Sequence, residues 1–202
     1  VRVSAARERL LRVASELFYR EGIHRVGMDR VLSEAAVTRA TMYRYFPGKE
    51  ALVAAYLLRE DEIVRGQVAE VRAEAEAKHP GHGAAGDDGA RSRFLELLIE
   101  AIADDIVRHH DRGCPFINAA VEFPDAGSPI RDIVTRHRTW FRTTVRQALV
   151  DAHSDAHSDR DPEAAAAALV LLRDAALVGA YLDGAELVRP VFIAEARRAA
   201  GL

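Results

Sequence analysis

Residues 27–46 read Gly-Met-Asp-Arg-Val-Leu-Ser-Glu-Ala-Ala-Val-Thr-Arg-Ala-Thr-Met-Tyr-Arg-Tyr-Phe, and the spacing of the apolar side chains in this stretch decides how the rest of the chain is read. Met28, Val31, Leu32 and Ala35 recur at helical spacing, as do Met42 and Phe46, and Ala36, Val37 and Thr38 separate the two runs. Two short helices joined by three residues have the size and shape of a helix-turn-helix. Thr38 can accept a backbone N–H as the N-cap of the second helix. That helix presents Arg39, Ala40, Thr41, Tyr43, Arg44 and Tyr45, a set without a carboxylate. A helix that enters the major groove needs such a face, because acids would repel phosphates while Arg and small hydroxyl side chains reach base edges.

Upstream, Leu10, Val13, Ala14, Leu17 and Phe18 form one apolar stripe on a predicted helix from Ser4 to Glu21, which Gly22 is placed to end in a left-handed C-cap. Downstream, Pro47-Gly48 interrupts the pattern, and Lys49-Glu50 opens a longer helix with Leu52, Val53, Tyr56, Leu57, Ile63 and Val64 expected to face inward. Its N-terminus, with Lys49, favours a phosphate. With these flanks the segment resembles the DNA-binding domain of the TetR/AcrR family of bacterial transcriptional regulators. The resemblance runs from about Ala6 to about Tyr56. It rests on Arg-Leu-Leu-Arg-Val-Ala-Ser-Glu-Leu-Phe-Tyr-Arg-Glu-Gly ending at Gly22, Thr-Met-Tyr-Arg-Tyr-Phe ending at Phe46, and Lys49-Glu50-Ala51-Leu52. Three positions depart from the family's pattern. Gly27 stands where a Thr commonly opens the second helix, Ala36 where the turn usually has Gly, and Gly48 where Ser or Asn commonly caps the fourth helix. A left-handed backbone at Ala36 would cost about 1 kcal/mol.

The chain has 202 residues, 49% of them hydrophobic, and a formal charge of −3. That is long enough for a small domain plus a larger one. The charge is uneven: residues 1–60 carry 11 Lys+Arg against 7 Asp+Glu, a balance of +4 that leaves −7 for the remainder. The basic excess therefore accompanies the proposed reading helix. The single Cys114 excludes an internal disulfide framework. No apolar run is expected to approach the roughly 20 residues of a membrane span, and nothing suggests export, so the cytoplasm is the expected compartment.

Beyond residue 60 the pattern stays helical. Lys78 to Gly89, rich in Gly and Ala, reads as an exposed loop; His79 and His82 within it are weak metal candidates because such a loop fixes no geometry. Phe94, Leu97, Leu98, Ala101, Ile102 and Ile106 mark a helix, with Asp105 either at its wet edge or facing a cationic ligand. A short helix follows Arg112-Gly113-Cys114-Pro115. The Gly-Cys-Pro-Phe and Asn-Ala-Ala-x-Glu-Phe pieces around it recur in one branch of the resembling family, in its regulatory domain. Cys114 reads as a buried structural thiol in preference to a reactive one. Ile130, Ile133, Val134, His137, Phe141, Val145, Ala148 and Leu149 share a face on the next helix, with Trp140 adjoining; His137 and Trp140 suit either a pocket wall or ordinary core. The tandem repeat from Asp151 to Asp159 reads as an exposed loop. Pro162 starts an Ala, Leu and Val-rich helix through Leu182, and Pro190 starts a last one through Ala200.

No run alternates at the two-residue period of a strand, so the expected fold is all-α with about nine helices. The expected division is a head over residues 4–60, its helix-turn-helix at about 27–46, and a body over 61–202. The resemblance implies a homodimer through the two C-terminal helices, about 163–182 and 190–200, with double-stranded operator DNA and a small-molecule effector as partners. DNA contacts fall to Thr38, Arg39, Ala40, Thr41, Tyr43, Arg44, Tyr45 and Lys49. Candidate effector residues are Phe94, Leu98, Ile102 and Asp105 on one helix, Cys114 at the turn, and His137, Trp140 and Phe141 on another. No cofactor, membrane or dedicated metal site is expected, although a body that senses a metal through scattered histidines, or that senses nothing, is the alternative. The absence of Gly-x-Ser-x-Gly, His-Glu-x-x-His, a phosphate-cradling glycine loop or paired catalytic carboxylates argues against an enzyme.

Overall fold

The structure is a computed structural model that describes residues 4–77, 84–108, 112–153 and 161–202, without the side chains of residues 84–90. Among the described residues there are nine α-helices and no strand: α1 Ala5–Glu21, α2 Met28–Ala35, α3 Arg39–Tyr45, α4 Lys49–Ala77, α5 Ala84–Arg108, α6 Pro115–Glu122, α7 Pro129–Ala152, α8 Pro162–Asp183 and α9 Ala185–Ala200.

The chain forms two compact units. The first comprises residues 1–62 together with 115–136, and the second residues 63–114 together with 137–202. In the first unit α1 packs on both α2 and α3. Its stripe is buried as the periodicity requires, with Leu10 and Ala14 fully covered, and Val31, Leu32 and Ala35 of α2 and Met42 of α3 are buried in the same unit. Ala36 ends α2 in the left-handed region at φ 50°, ψ 49°, the only non-glycine at positive φ among the described residues. The turn is thus closed by a residue that disfavours the angles it adopts. Leu52, Val53, Tyr56 and Leu57 of α4 are buried. The α6 segment belongs to this unit, with Phe116 and Ala119 buried, although the 52 residues of 63–114 separate it from the rest of the unit.

In the second unit α8 packs on α9 and α5, and α5 packs on α9. Asp161 caps α8, its side chain accepting from the Glu163 N–H at 2.9 Å, and Pro162 occupies the first turn, where no donor is lost. The inward positions of α7 are divided between the units, Ile130, Ile133 and Val134 being buried in the first and His137, Phe141, Val145, Ala148 and Leu149 in the second.

Five expectations need correction. Gly22 does end α1 at positive φ, but at φ 93°, ψ 144° it is extended and not left-handed helical. The helix α5 begins at Ala84, inside the stretch read as a loop. The two glycines weaken it by roughly 1 kcal/mol each against Ala, and propagation from the apolar run downstream outweighs that. His79, His82 and residues 154–160 of the tandem repeat lie outside the described residues. Ile63, expected inside, is 46% exposed, because the apolar face of so long a helix as α4 does not stay in register with one core. Pro190 lies within α9 and does not start it; the helix begins five residues earlier behind Gly184, and the missing N–H leaves one carbonyl near the first turn without its partner. Finally, α8 is long and apolar enough to cross a membrane, with a mean hydropathy of 1.7 over an 18-residue window of which 33% is buried. Its many alanines raise the index without supplying much surface, and Arg173 and Asp174 stand in its middle.

Candidate nucleic-acid interface and effector cavity

The candidate reading helix α3 is anchored by buried side chains and capped at its N-terminus. Met42 and Phe46 point into the core at 2% and 4% exposure, which turns Arg39, Ala40, Tyr43 and Arg44 outward. Thr38 caps α3 as the sequence indicates: its Oγ1 accepts the Thr41 N–H at 3.2 Å and donates to Thr41 Oγ1 at 2.9 Å. Thr41 and Tyr45 are half-buried. Arg44 lies over the Tyr45 ring with its Cζ 4.9 Å from the centroid and donates to the hydroxyl at 3.1 Å. The Tyr45 hydroxyl is held below the usual phenol range, first by a hydrogen bond with Ser4 and further by Arg44. The Arg39 guanidinium is paired with Asp29 of α2, on the same exposed surface. Asp29 was not singled out by sequence reading, since its position in the first turn of α2 looks like a simple dipole partner.

Lys49 is committed in a way its sequence context does not reveal. Its ammonium donates to the Val26 carbonyl at 2.7 Å and to the His24 carbonyl at 3.4 Å, tying the turn between α1 and α2 to the start of α4. Burial holds it below its usual range, with Glu122 pulling the other way. An ammonium has three donors, so one remains.

The same turn is gripped from α6. Glu122 Oε1 accepts the Ile23 N–H at 2.7 Å and Oε2 the His24 N–H at 2.6 Å, while the His24 ring nitrogen Nε2 is 2.7 Å from the Glu122 carbonyl oxygen. The His24 ring packs against Phe123, centroids 4.9 Å apart. Gly22 precedes this fork, and a Cβ there would stand 3.5 Å from Glu122 Oε1 on a backbone at φ 93°. Glu122 lies in the Asn-Ala-Ala-x-Glu-Phe piece quoted above. That piece was the signal for it, but nothing in the sequence connects it to residues 22–24.

The second unit contains a cavity of about 270 Å³ walled by α4, α5, α7 and α8. Of the eight candidate effector residues, Leu98, Ile102, Asp105 and Phe141 line it, and Phe94, Cys114, His137 and Trp140 do not. Phe94, Cys114 and His137 are buried in packing, and Trp140 carries Arg65 over its ring at 4.1 Å. The side of α4 contributes Val64, Val68 and Val71 with Glu70 and Glu74, and α8 contributes Arg173, which sequence reading passed over. Asp104 is held by Arg108 at 2.9 Å and Arg189 at 2.7 Å. Among the described residues no group of three or more His, Cys, Asp or Glu is placed to hold a metal ion.

Along α8 and α9 a row of large apolar side chains faces outward: Leu171, Leu182 and Leu187 are 67%, 68% and 67% exposed, with Val178, Tyr181 and Val191 beside them. Leu171, Val178 and Leu182 fall seven and four residues apart, one stripe of a helix. So much exposed apolar surface on adjoining helices marks an interaction face.

A short, firmly braced helix offering an arginine-bearing face, followed by a helical body with its own cavity, places the protein among the helix-turn-helix DNA-binding transcriptional regulators. The chain belongs to the TetR family of bacterial regulatory proteins: residues 10–56 match the bacterial regulatory proteins of the tetR family and residues 92–194 match the tetracyclin repressor-like C-terminal domain. The fold is shared with SCO4454, a TetR-family transcriptional regulator from Streptomyces coelicolor, at 38% identity and a TM-score of 0.82, covering 97% of this chain and 94% of that one. An uncharacterized HTH-type transcriptional regulator of Mycobacterium tuberculosis H37Rv, Rv1255c, is 41% identical over 59 residues, 29% of either chain. The regulator UidR of Escherichia coli K12 is 29% identical over 96 residues, 48% of this chain and 40% of that one. The matched stretches thus span less than half the length of these curated relatives. Members of the family are transcriptional regulators, not enzymes; they bind operator DNA and small-molecule effectors and form dimers.

Proposed function

We propose that this protein is a homodimeric cytoplasmic repressor that leaves a palindromic operator when a small, largely apolar molecule enters the cavity of the body. The observation that carries the reading is the outward face of α3, where Arg39, Ala40, Tyr43 and Arg44 are exposed and no carboxylate belongs to the helix. Arg39 is assigned to a guanine edge and Ala40 or Thr41 to a thymine methyl, with Arg44 as a second base or backbone contact. Thr38, Tyr43, Tyr45 and the remaining donor of Lys49 are assigned to phosphates. The Asp29 pair does not oppose this. It is an exposed ion pair worth well under about 1 kcal/mol, which a bidentate guanine contact outweighs.

Dimerisation is assigned to α8 and α9, whose exposed leucines a second copy would cover. Two-fold symmetry then presents two α3 helices to half-sites about 35 Å apart or a multiple of it. An effector that fits better when the heads are spread shifts the dimer toward a form unable to span successive grooves, by no more than its differential affinity for the two forms.

The test is quantitative footprinting on an operator selected from random duplexes. Arg39→Ala is expected to lose about 1–3 kcal/mol and to relax preference at one base position in each half-site. Unchanged affinity and unchanged preference would remove α3 as the reader.

A further inference from the structure

Arg173 sits in the middle of α8, is 5% exposed and forms part of the cavity wall, with its Cζ 4.7 Å from the centre of the Phe141 ring. A guanidinium carries five N–H donors in a rigid planar fork and stays charged in any protein environment. Among the described residues it makes no hydrogen bond. Its ion pair with Asp174 Oδ1 spans 3.7 Å, too long for a hydrogen bond. Asp174 is already engaged, since Oδ2 accepts from Arg138 at 2.7 Å. Two arginines therefore share one carboxylate, leaving positive charge at the buried side of a cavity whose neighbouring wall is Leu98 and Phe141. A buried cation whose donors are unused is costly, and a planar oxyanion is the partner that fits the fork.

The rest of the lining limits the ligand, and within it Arg108 is already paired with Asp104 at 2.9 Å. Glu70 and Glu74 on α4 are exposed, and Asp105 on α5 is half-buried. The exposed charges are screened by salt over roughly 8 Å, far more than the buried guanidinium. A second anionic group would nonetheless meet these carboxylates, so the ligand carries one. We propose that the cavity takes an organic monocarboxylate with a compact apolar body, its carboxylate received by Arg173 and its body lying against Leu98, Ile102 and Phe141. This rests on the reading of the cavity as the effector site and specifies its ligand's chemical class.

The test is calorimetric titration of the full chain with three probes of one shape: 4-phenylbutanoate, 4-phenylbutanamide and 4-phenylbutan-1-amine. The carboxylate is expected to bind at least about tenfold more tightly than the other two. Arg173→Gln is expected to abolish that preference, and Arg173→Lys to keep part of it. Helicity and operator retardation of both variants establish that they fold. Tighter binding of the amine or the amide, a preference that survives in Arg173→Gln, or no carboxylate binding up to about 1 mM overturns the assignment. Operator retardation with each probe separates the two readings. A carboxylate that binds through Arg173 without releasing DNA leaves the ligand class standing and defeats the release mechanism. Release by the amide or amine alone does the reverse.

Discussion

Arg39 and Ala36 show how much a single side chain decides here. Arg39 is legible from sequence as the first side chain of the reading helix, yet its pairing with Asp29 is not, because ten residues and a turn separate them and only the crossing of α2 and α3 brings them together. Ala36 was legible as an irregular position, and its φ of 50° places it in the left-handed region where a Cβ crowds the carbonyl. Ala36→Gly is therefore expected to stabilise the protein by up to about 1 kcal/mol, part of the relief being offset by the freer unfolded chain. A rise in the chemical denaturation midpoint with unchanged slope would show it; a fall would mean that the alanine methyl makes contacts worth more than the strain.

At the scale of elements, the first two helices and α3 could be placed to within a residue or two because their apolar stripes are short and face one shared core. The start of α5 and the inward positions of α4 could not, since a helix of 25 or 29 residues passes several environments and its periodicity averages over them. The grip of α6 on the turn between α1 and α2 is another feature that periodicity does not carry. Glu122 satisfies the N–H groups of Ile23 and His24, which follow the end of α1 and have no helical partner there. Glu122→Ala is expected to leave both donors without their carboxylate and to cost about 1–3 kcal/mol. Hydrogen exchange should then rise at residues 23 and 24 before it rises elsewhere in the first unit. Exchange that stays slow at these two amides would mean that Lys49 and the packing of α1 suffice to hold the turn.

For the molecule as a whole, the exposed row on α8 and α9 is the face proposed to set the assembly. Leu182→Glu combined with Leu187→Glu puts charges where a second copy is expected to bury leucine, and the dimer should fall apart in sedimentation velocity while helicity stays intact. Operator affinity should drop with it, because a single head has only one half-site to hold. The dependence of affinity on salt should also flatten, its slope following roughly −0.9 times the number of phosphates neutralised. A monomer that retained full affinity and slope would show that the second head contributes nothing.

By itself the sequence settled the all-helical class, the position of the helix-turn-helix, the cap at Thr38 and the family, because each depends on residues a few positions apart, where helical spacing and capping chemistry act. Tertiary structure alone decided that Asp29 holds Arg39, that Glu122 reaches back nearly a hundred residues to the turn after α1, and that Arg173 stands in the cavity wall while Phe94, Cys114, His137 and Trp140 are spent elsewhere. Those pairings come from how helices cross. The angle and depth of a crossing are set by summed packing along both helices, and no local run of residues encodes that sum.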